Sequence, residues 1–286
     1  MPLVALMQTH PECRDCLLAL IRQAAGLATA DLLLRAEAER RARRLLDAHF
    51  SDGLVPARIA TRFHEVIKQA TGNPDPFLPL KRREMAFARQ MAQRLDLSRP
   101  RGLREAALVA VAGNALDFFR EHEVVGRELE GEVELAIDEL DAALGTLQPG
   151  QEVLYLADNA GEQYFDAPLL AALAAAGCRV RYGVKGRPVQ NDLSLADLDR
   201  ACLPSGVEAV STGGAAVGVA LESSSEGFRA LLARAALVVA KGMGHYETMD
   251  ELSASRVLLL LKAKCRPVAA GLGVPPGSFV ARLITP

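Results

Sequence analysis

The segment LYLADNAGEQYFD, residues 154–166, decides the fold. Its first residues are mostly apolar and read as a buried strand. The run then stops at Asp158 and Asn159, passes a glycine, and continues through Glu162 to Asp166. DAPLLAALAAAG, residues 166–177, follows with the look of a helix. A strand that ends on an acid and an amide and leads into a helix is the opening of a βαβ unit.

The pattern repeats toward the C-terminus. EVLYLAD (152–158), CRVRYGVKG (178–186), VEAVSTGG (207–214), ALVVAKG (236–242) and RPVAAGLG (266–273) each read as a buried strand ending in glycine or a polar residue. Between them, residues 166–177, LADLDRAC (195–202), SEGFRALLARA (225–235) and DELSASRVLLLLKAK (250–264) read as helices. Such alternation predicts a mostly parallel sheet. Toward the N-terminus the period changes. Residues 29–50, 51–72, 73–97, 103–119 and 129–147 carry apolar residues at helical spacing, with turn residues between segments. The sequence therefore predicts an α/β protein: an N-terminal helical bundle over 1–148, then a Rossmann-like, mostly parallel sheet flanked by helices over 149–286.

Composition sets outer bounds. The chain has 286 residues, half of them hydrophobic and 24% charged, which suits a globular protein and not a disordered one. A net charge of −2 with no basic tract argues against a nucleic-acid partner. Aromatics are 5% and tryptophan is absent, so stacking platforms for single strands are few. The first residues lack the basic and apolar regions of a signal peptide, and no apolar run approaches the ~20 residues of a membrane span. The expectation is a cytoplasmic protein without a membrane partner; its oligomeric state is not legible. Five scattered cysteines do not suggest a disulfide framework.

In open α/β sheets ligands bind beyond the carboxyl ends of the strands. The residues to watch are Asp158-Asn159, Lys185-Gly186, Thr212-Gly213-Gly214 and Lys241-Gly242, which fall at those ends. Asp158 and Asn159 offer a carboxylate and an amide oxygen, hard ligands for a divalent cation, and Asp192 in RPVQNDLSLADL can approach the same rim. Two carboxylates and an amide leave positions open for water and substrate, as metal-assisted hydrolysis requires. A plainer reading has Asp158 or Asn159 capping the helix that starts near Ala160.

Lys241 ends a strongly apolar strand, where its charge is costly without an anion. With Gly242 and Gly244 beside it, the loop has the physics of a phosphate cradle, although a Walker A motif is absent. A strand-end lysine reaching solvent is the alternative. In AGNALDFF, Asn114 and Asp117 are three apart and would share a helix face; either Asn114 caps a second helix after Gly113, or this face closes over the metal. Cys13 and Cys16 form one C-x-x-C without a second pair; His10 and Cys265 are the conceivable further zinc ligands, and a structural or incidental role is the simpler account. Neither G-x-S-x-G nor H-E-x-x-H occurs.

The ordered set C-x-x-C, TGNPDPF, GNALDF, LADNAGEQYFD, RPVQND, AKGMGHYET and LLKAKCRPVA resembles the DUF89 family, the metal-dependent damage-control phosphatases of ARMT1-like type. The likeness is to its stand-alone prokaryotic branch and covers nearly the whole chain. It implies a helical bundle with an α/β core and hydrolysis of small phosphorylated metabolites. It further implies a divalent metal (Mg, Mn, Co or Ni) on Asp158, Asn159 and Asp192. Lys241 and Gly242 match the loop expected to bind the substrate phosphate, Asn114 and Asp117 an element expected at the site, and Glu162 the acid after the metal pair. His245 stands where the family often has asparagine and could still reach substrate or metal. Asp117 is the first candidate to position or deprotonate the water, with Asp192 the alternative. A non-catalytic phosphometabolite-binding protein and an S-adenosylmethionine-dependent methyltransferase are the competing readings; the latter lacks G-x-G-x-x-G after its first strand.

Overall fold

The computed structural model describes residues 9–50, 54–99, 101–116 and 120–286. Six helices come first: α1 (Pro11–Ala28), α2 (Leu32–Phe50), α3 (Pro56–Thr71), α4 (Leu78–Arg94), α5 (Leu103–Gly113) and α6 (His122–Glu130). Their limits follow from local chemistry. Pro11 and Pro56 open α1 and α3 at positions whose N–H groups would be unpaired anyway. Asp31 Oδ1 accepts from the Leu33 and Leu34 amides at 2.8 and 3.1 Å and starts α2. Gly72, at φ 69°, ends α3 in the left-handed cap that glycine favours.

The remainder runs β1 (Leu135–Asp138), α7 (Leu140–Leu144), β2 (Glu152–Leu156), α8 (Gln163–Ala175), β3 (Arg179–Val184), β4 (Val207–Ser211), α9 (Glu226–Arg234), β5 (Leu237–Lys241), α10 (Gly242–Glu247), β6 (Val257–Lys262), α11 (Arg266–Leu272) and β7 (Phe279–Ile284). The seven strands form one sheet in the order β1-β7-β6-β5-β2-β3-β4. β2 to β6 are mutually parallel, β7 is antiparallel to β6, and β1 is parallel to β7. This is the predicted α/β class with a mostly parallel sheet.

Helices cover both faces. Val153 and Tyr155 of β2 pack with Ala107 and Val111 of α5 and Leu169 and Leu173 of α8. Leu154 and Leu156 point the other way, to Phe228 of α9, Tyr246 of α10 and Leu272 of α11. A strand buried on both sides reads as a continuous apolar run, as EVLYL does. α1, α2 and α3 share a separate core with Phe63 and Phe77. Among the described residues no helix is long and apolar enough to cross a membrane.

Four local expectations are corrected. Residues 129–147, read as one helix, contain the end of α6, strand β1 and the short helix α7. VLLLL, read as helix, lies in the interior strand β6 with every residue buried; a short apolar run has no period to separate the two states. RPVAAGLG, read as strand, is α11, with Pro267 near its start and Gly273 (φ 71°) closing it. LADLDRAC is a series of turns, because its acids bind locally: Asp199 Oδ1 accepts from the Ala201 amide at 3.0 Å, and Asp197 takes Ser194 and Lys81.

Candidate active site

The strand order reverses between β2 and β5. The chain runs from β2 outward through β3 and β4, then crosses back to place β5 on the other side of β2. A crevice opens at the carboxyl ends of strands at such a switch point. Asp158 and Asn159 extend from β2 there, and Lys241 and Gly242 extend from β5.

Backbone hydrogen bonds fix the loops. The Leu193 amide donates to the Asp158 carbonyl at 2.7 Å, and the Ala160 amide donates to the Asn191 carbonyl at 2.9 Å. Asn159 and Asp192 thereby face each other as an antiparallel bridge. The Lys185 amide in turn donates to Leu193 at 2.9 Å. Gln190, next to this bridge, takes a left-handed φ of 47°, a conformation rare outside glycine and enriched at functional loops.

Asn114 follows the last residue of α5 and connects three elements. Its Nδ2 donates to Asp158 Oδ2 at 3.1 Å and to Glu162 Oε1 at 2.9 Å, while its Oδ1 accepts from the Lys262 amide of β6 at 2.8 Å. Neither Asp158 nor Asn159 caps the turn at Ala160–Glu162 with its side chain. Instead Asn159 Nδ2 donates to Glu162 Oε1 at 2.7 Å and to Asp158 Oδ2 at 3.4 Å. Its amide oxygen is the atom left to offer a cation. α5 ends at Gly113, with Asn114 as its C-cap residue. Asp117 itself lies outside the described residues.

Lys241 is placed in the protein interior. Its ammonium lies 2.7 Å from both Glu162 Oε2 and Asp166 Oδ1, and all three side chains have no exposed surface. Tyr155 and Tyr182 complete the cluster, donating to the two Asp166 oxygens at 2.6 and 2.8 Å. Burial opposes the Lys241 charge, but Asp166 and Glu162 outweigh that and hold its pKa above the ordinary lysine value. The same burial raises the Asp166 carboxyl despite Lys241. His245 donates from Nδ1 to the Lys241 carbonyl at 2.6 Å; burial, with Lys185 nearby, lowers its pKa to about 3, so the ring is neutral.

A cavity of about 220 Å³ opens at this corner, lined on its polar side by Asn114, Asp158, Asn159, Asn191, Asp192 and Lys264. Such a volume, below the ~300–1,000 Å³ of drug-sized pockets, suits a small metabolite. Burial raises the Asp158 carboxyl well above its usual range, with Glu162 and Asp192 adding repulsion. Asp192 is raised to about 6, chiefly by burial, against the pull of Lys185 at 3.5 Å. Asp192 Oδ2 is buried and has no hydrogen-bond partner. This oxygen, balanced by Lys185 but without a hydrogen bond, together with a second carboxylate and an amide oxygen is a donor set that fits a hard divalent cation.

Gly242 makes the corner possible. Its φ is +81°, and a Cβ there would stand 1.8 Å from Asp158 Oδ2. No side chain larger than hydrogen fits behind that carboxylate.

Among the described residues no group of three or more His, Cys, Asp and Glu is arranged to share a metal. Cys13 and Cys16 are not joined in a disulfide, and His10 Nδ1 accepts from the Glu12 amide at the start of α1. Cys265 lies near enough to both thiols for their charges to raise its own pKa, but the three are not arranged to share a metal. Lys264 and Glu247, which line the cavity, carried no role in the sequence reading. The signal for Lys264 was available: it stands two residues beyond β6 on the same rim, hidden because that segment reads as helix. Glu247 falls within AKGMGHYET, a stretch that carries the family resemblance, so a signal for it was available too.

The Damage-control phosphatase ARMT1-like domain model matches residues 9–280. The chain belongs to the damage-control phosphatase ARMT1-like family. It is 32% identical over 284 residues to the damage-control phosphatase PH1575 of Pyrococcus horikoshii, covering 96% of this chain and 97% of that protein. It is 30% identical over 287 residues to a damage-control phosphatase of Archaeoglobus fulgidus, covering 97% and 100%. The crystal structure of the Pyrococcus horikoshii DUF89 family protein superposes with a TM-score of 0.88 at 31% identity, over 98% of this chain and all of that one. The likeness of ARMT1-like and DUF89 relatives extends across both the helical and the sheet-bearing parts.

Proposed function

We propose that this protein is a metal-dependent phosphatase that hydrolyses phosphate esters of small, damaged or surplus metabolites. The family membership supports the reaction class, and two relatives are named damage-control phosphatases. The observation that carries the metal reading is the buried Asp192 Oδ2, which makes no hydrogen bond, has the Lys185 ammonium 3.5 Å away, and is held opposite Asn159 by backbone pairing beside Asp158. Asp158, Asn159 and Asp192 would hold the cation; Mg, Mn, Co and Ni all suit such ligands. Bound there, it would supply Lewis-acid polarisation of the phosphoryl group and acidify a water.

The chain's own residues supply the rest. Lys264, on the cavity wall, places a cation where phosphoryl oxygens gain charge. Lys241 acts from behind the wall: it pairs with Glu162, which accepts from Asn114 and Asn159, and these in turn orient Asp158. Gly242 lets the β5 backbone pass against the Asp158 carboxylate. Neutral His245 fixes the turn that follows Lys241 through its carbonyl. Asp117 is proposed to position or deprotonate the water, a role that rests on the family resemblance, since a carboxylate already on a metal is a poor base.

Release of p-nitrophenol from its phosphate, assayed with Mg, Mn, Co and Ni in turn, tests this reading. Wild type should turn over with at least one ion, and Asp158→Ala should lose that activity. Equal rates in the two proteins would overturn the metal assignment.

A further inference from the structure

Two cysteines from distant parts of the chain come together beside the cavity. Cys16, on α1, is exposed and lines the cavity together with Lys264. Cys265 follows Lys264 directly, is half-buried, and is the N-cap residue of α11. Three observations join the start of α1 to the start of α11. The Arg266 guanidinium lies 3.5 Å from the Glu12 carboxylate. Cys13 belongs to the apolar cluster that holds Val268 and Ala269 of α11, and Cys265 packs against the same cluster. The Cys265 thiol is pushed up to about 11, chiefly by burial, with Glu247 and then Cys13 and Cys16 adding repulsion.

The three thiols differ in what they can do. Cys13 is buried, and burial pushes its thiol up. Turning it out toward Cys16 would leave a void in its cluster, at a cost in stability. An oxidant arriving from water therefore meets Cys16 first. Cys265, half-buried and not committed to the centre of the cluster, is the thiol beside it that can follow. An accessible thiol next to a resolving one is the arrangement of oxidant-sensing pairs.

We propose that Cys16 and Cys265 are an oxidisable pair, and that a disulfide between them restrains Lys264 and slows turnover at the cavity. A hydroperoxide supplies the oxidising equivalents. The Cys16 thiolate, its proton released to solvent, attacks the terminal peroxide oxygen. The O–O bond breaks, Cys16 becomes a sulfenic acid, and the departing alkoxide takes a proton to leave as an alcohol. The Cys265 sulfur then attacks the Cys16 sulfur. The S–S bond forms as the S–O bond breaks, and the hydroxide leaves as water with the Cys265 proton. Two thiols and one hydroperoxide give a disulfide, an alcohol and water, with two electrons passed to the peroxide. The bond ties α1 to the residue adjoining Lys264, whose ammonium reaches the cavity edge and donates to the Leu116 carbonyl at 3.0 Å. The effect on turnover rests on the phosphatase reading; the bond itself does not.

The test has a covalent and a kinetic arm. The reduced full chain is treated with hydrogen peroxide, freed of it, blocked with N-ethylmaleimide and digested with trypsin without reduction. Cleavage after Arg14 separates Cys13 from Cys16, so the expected product joins residues 15–22 to residues 265–282. Oxidation should lower kcat/KM for p-nitrophenyl phosphate by about fivefold or more, the lower end for coupled sites, and a phosphine reductant should restore it. Cys16→Ser and Cys265→Ser, the latter keeping a favoured helix cap, should each hold their own untreated rate after peroxide and give no joined peptide. Cys13→Ala should still give it. A Cys13–Cys16 bridge in place of the expected peptide, equal peroxide sensitivity in Cys16→Ser, or a joined peptide with the rate unchanged would overturn the proposal. Absence of phosphate release before oxidation would overturn the phosphatase reading instead, and the peptide map would still decide whether the pair forms.

Discussion

Lys241 Nζ lies 2.7 Å from Asp166 Oδ1, and neither side chain has any exposed surface. With Glu162 at the same distance, one buried cation serves two buried carboxylates. Removing one partner of such a pair leaves charge uncompensated and typically costs ~3–5 kcal/mol. Lys241→Met should therefore lower unfolding free energy by an amount of that order in urea titrations. A variant as stable as wild type with a raised KM would instead place Lys241 on the substrate phosphate.

Lys264 gives the opposite signature. It is partly exposed at the cavity and bonds the Leu116 carbonyl at 3.0 Å, away from the buried cluster. Lys264→Met should lower kcat/KM by about 10²–10³, the usual consequence of losing one group that stabilises transition-state charge. Stability should change by less than about 1 kcal/mol, as for substitutions outside a core. A large fall in stability with kinetics intact would refute the assignment.

Gly242→Ala places a methyl against Asp158 at a left-handed φ. The carboxylate has to move, and with it the position of the proposed cation. We expect the melting-temperature rise on adding Mn to disappear, while wild type gains stability in proportion to the logarithm of ion concentration above Kd. Asp192→Ala should abolish the same rise without backbone strain. An undiminished rise in Asp192→Ala would remove Asp192 from the ligand set.

His64 makes a pH prediction away from the site. It is buried beside Phe63 and Phe77, its Nε2 has no partner, and burial, helped by Lys68, lowers its pKa to about 3. Between its ordinary value of 6.5 and about 3 the unfolded chain binds a proton that the native state does not. Its contribution is therefore complete above pH 6.5 and declines as pH falls, by up to ~1.4 kcal/mol per pH unit. Asp158, Asp192 and Glu247, whose carboxyls are raised by burial, act in the reverse sense. The difference between wild type and His64→Leu isolates the histidine: it should grow in favour of the variant from pH 7 to pH 4.5. A difference that is flat with pH would show that His64 titrates normally.

Much of this architecture was legible because its signals are local. Strand runs that stop on polar residues place Asp158, Asn159 and Lys241 on one rim, and proline and glycine set helix limits at Pro11, Pro56 and Gly72. The failures share a cause. LLLL in β6 carries no period, so its state depends on which neighbours cover it, and misreading it hid Lys264. Lys241 was legible as a charge needing an anion, but not that the anions are Asp166 and Glu162 of the chain itself, since residues 75 and 79 positions away meet it only in the folded protein.

The pairing of Asp158 with Leu193, and of Ala160 with Asn191, has a further consequence. The corner that would do chemistry is positioned by main-chain atoms, which every residue type possesses. Side chains at Ala160, Asn191 and Leu193 can therefore change while the backbone path that frames the corner is inherited.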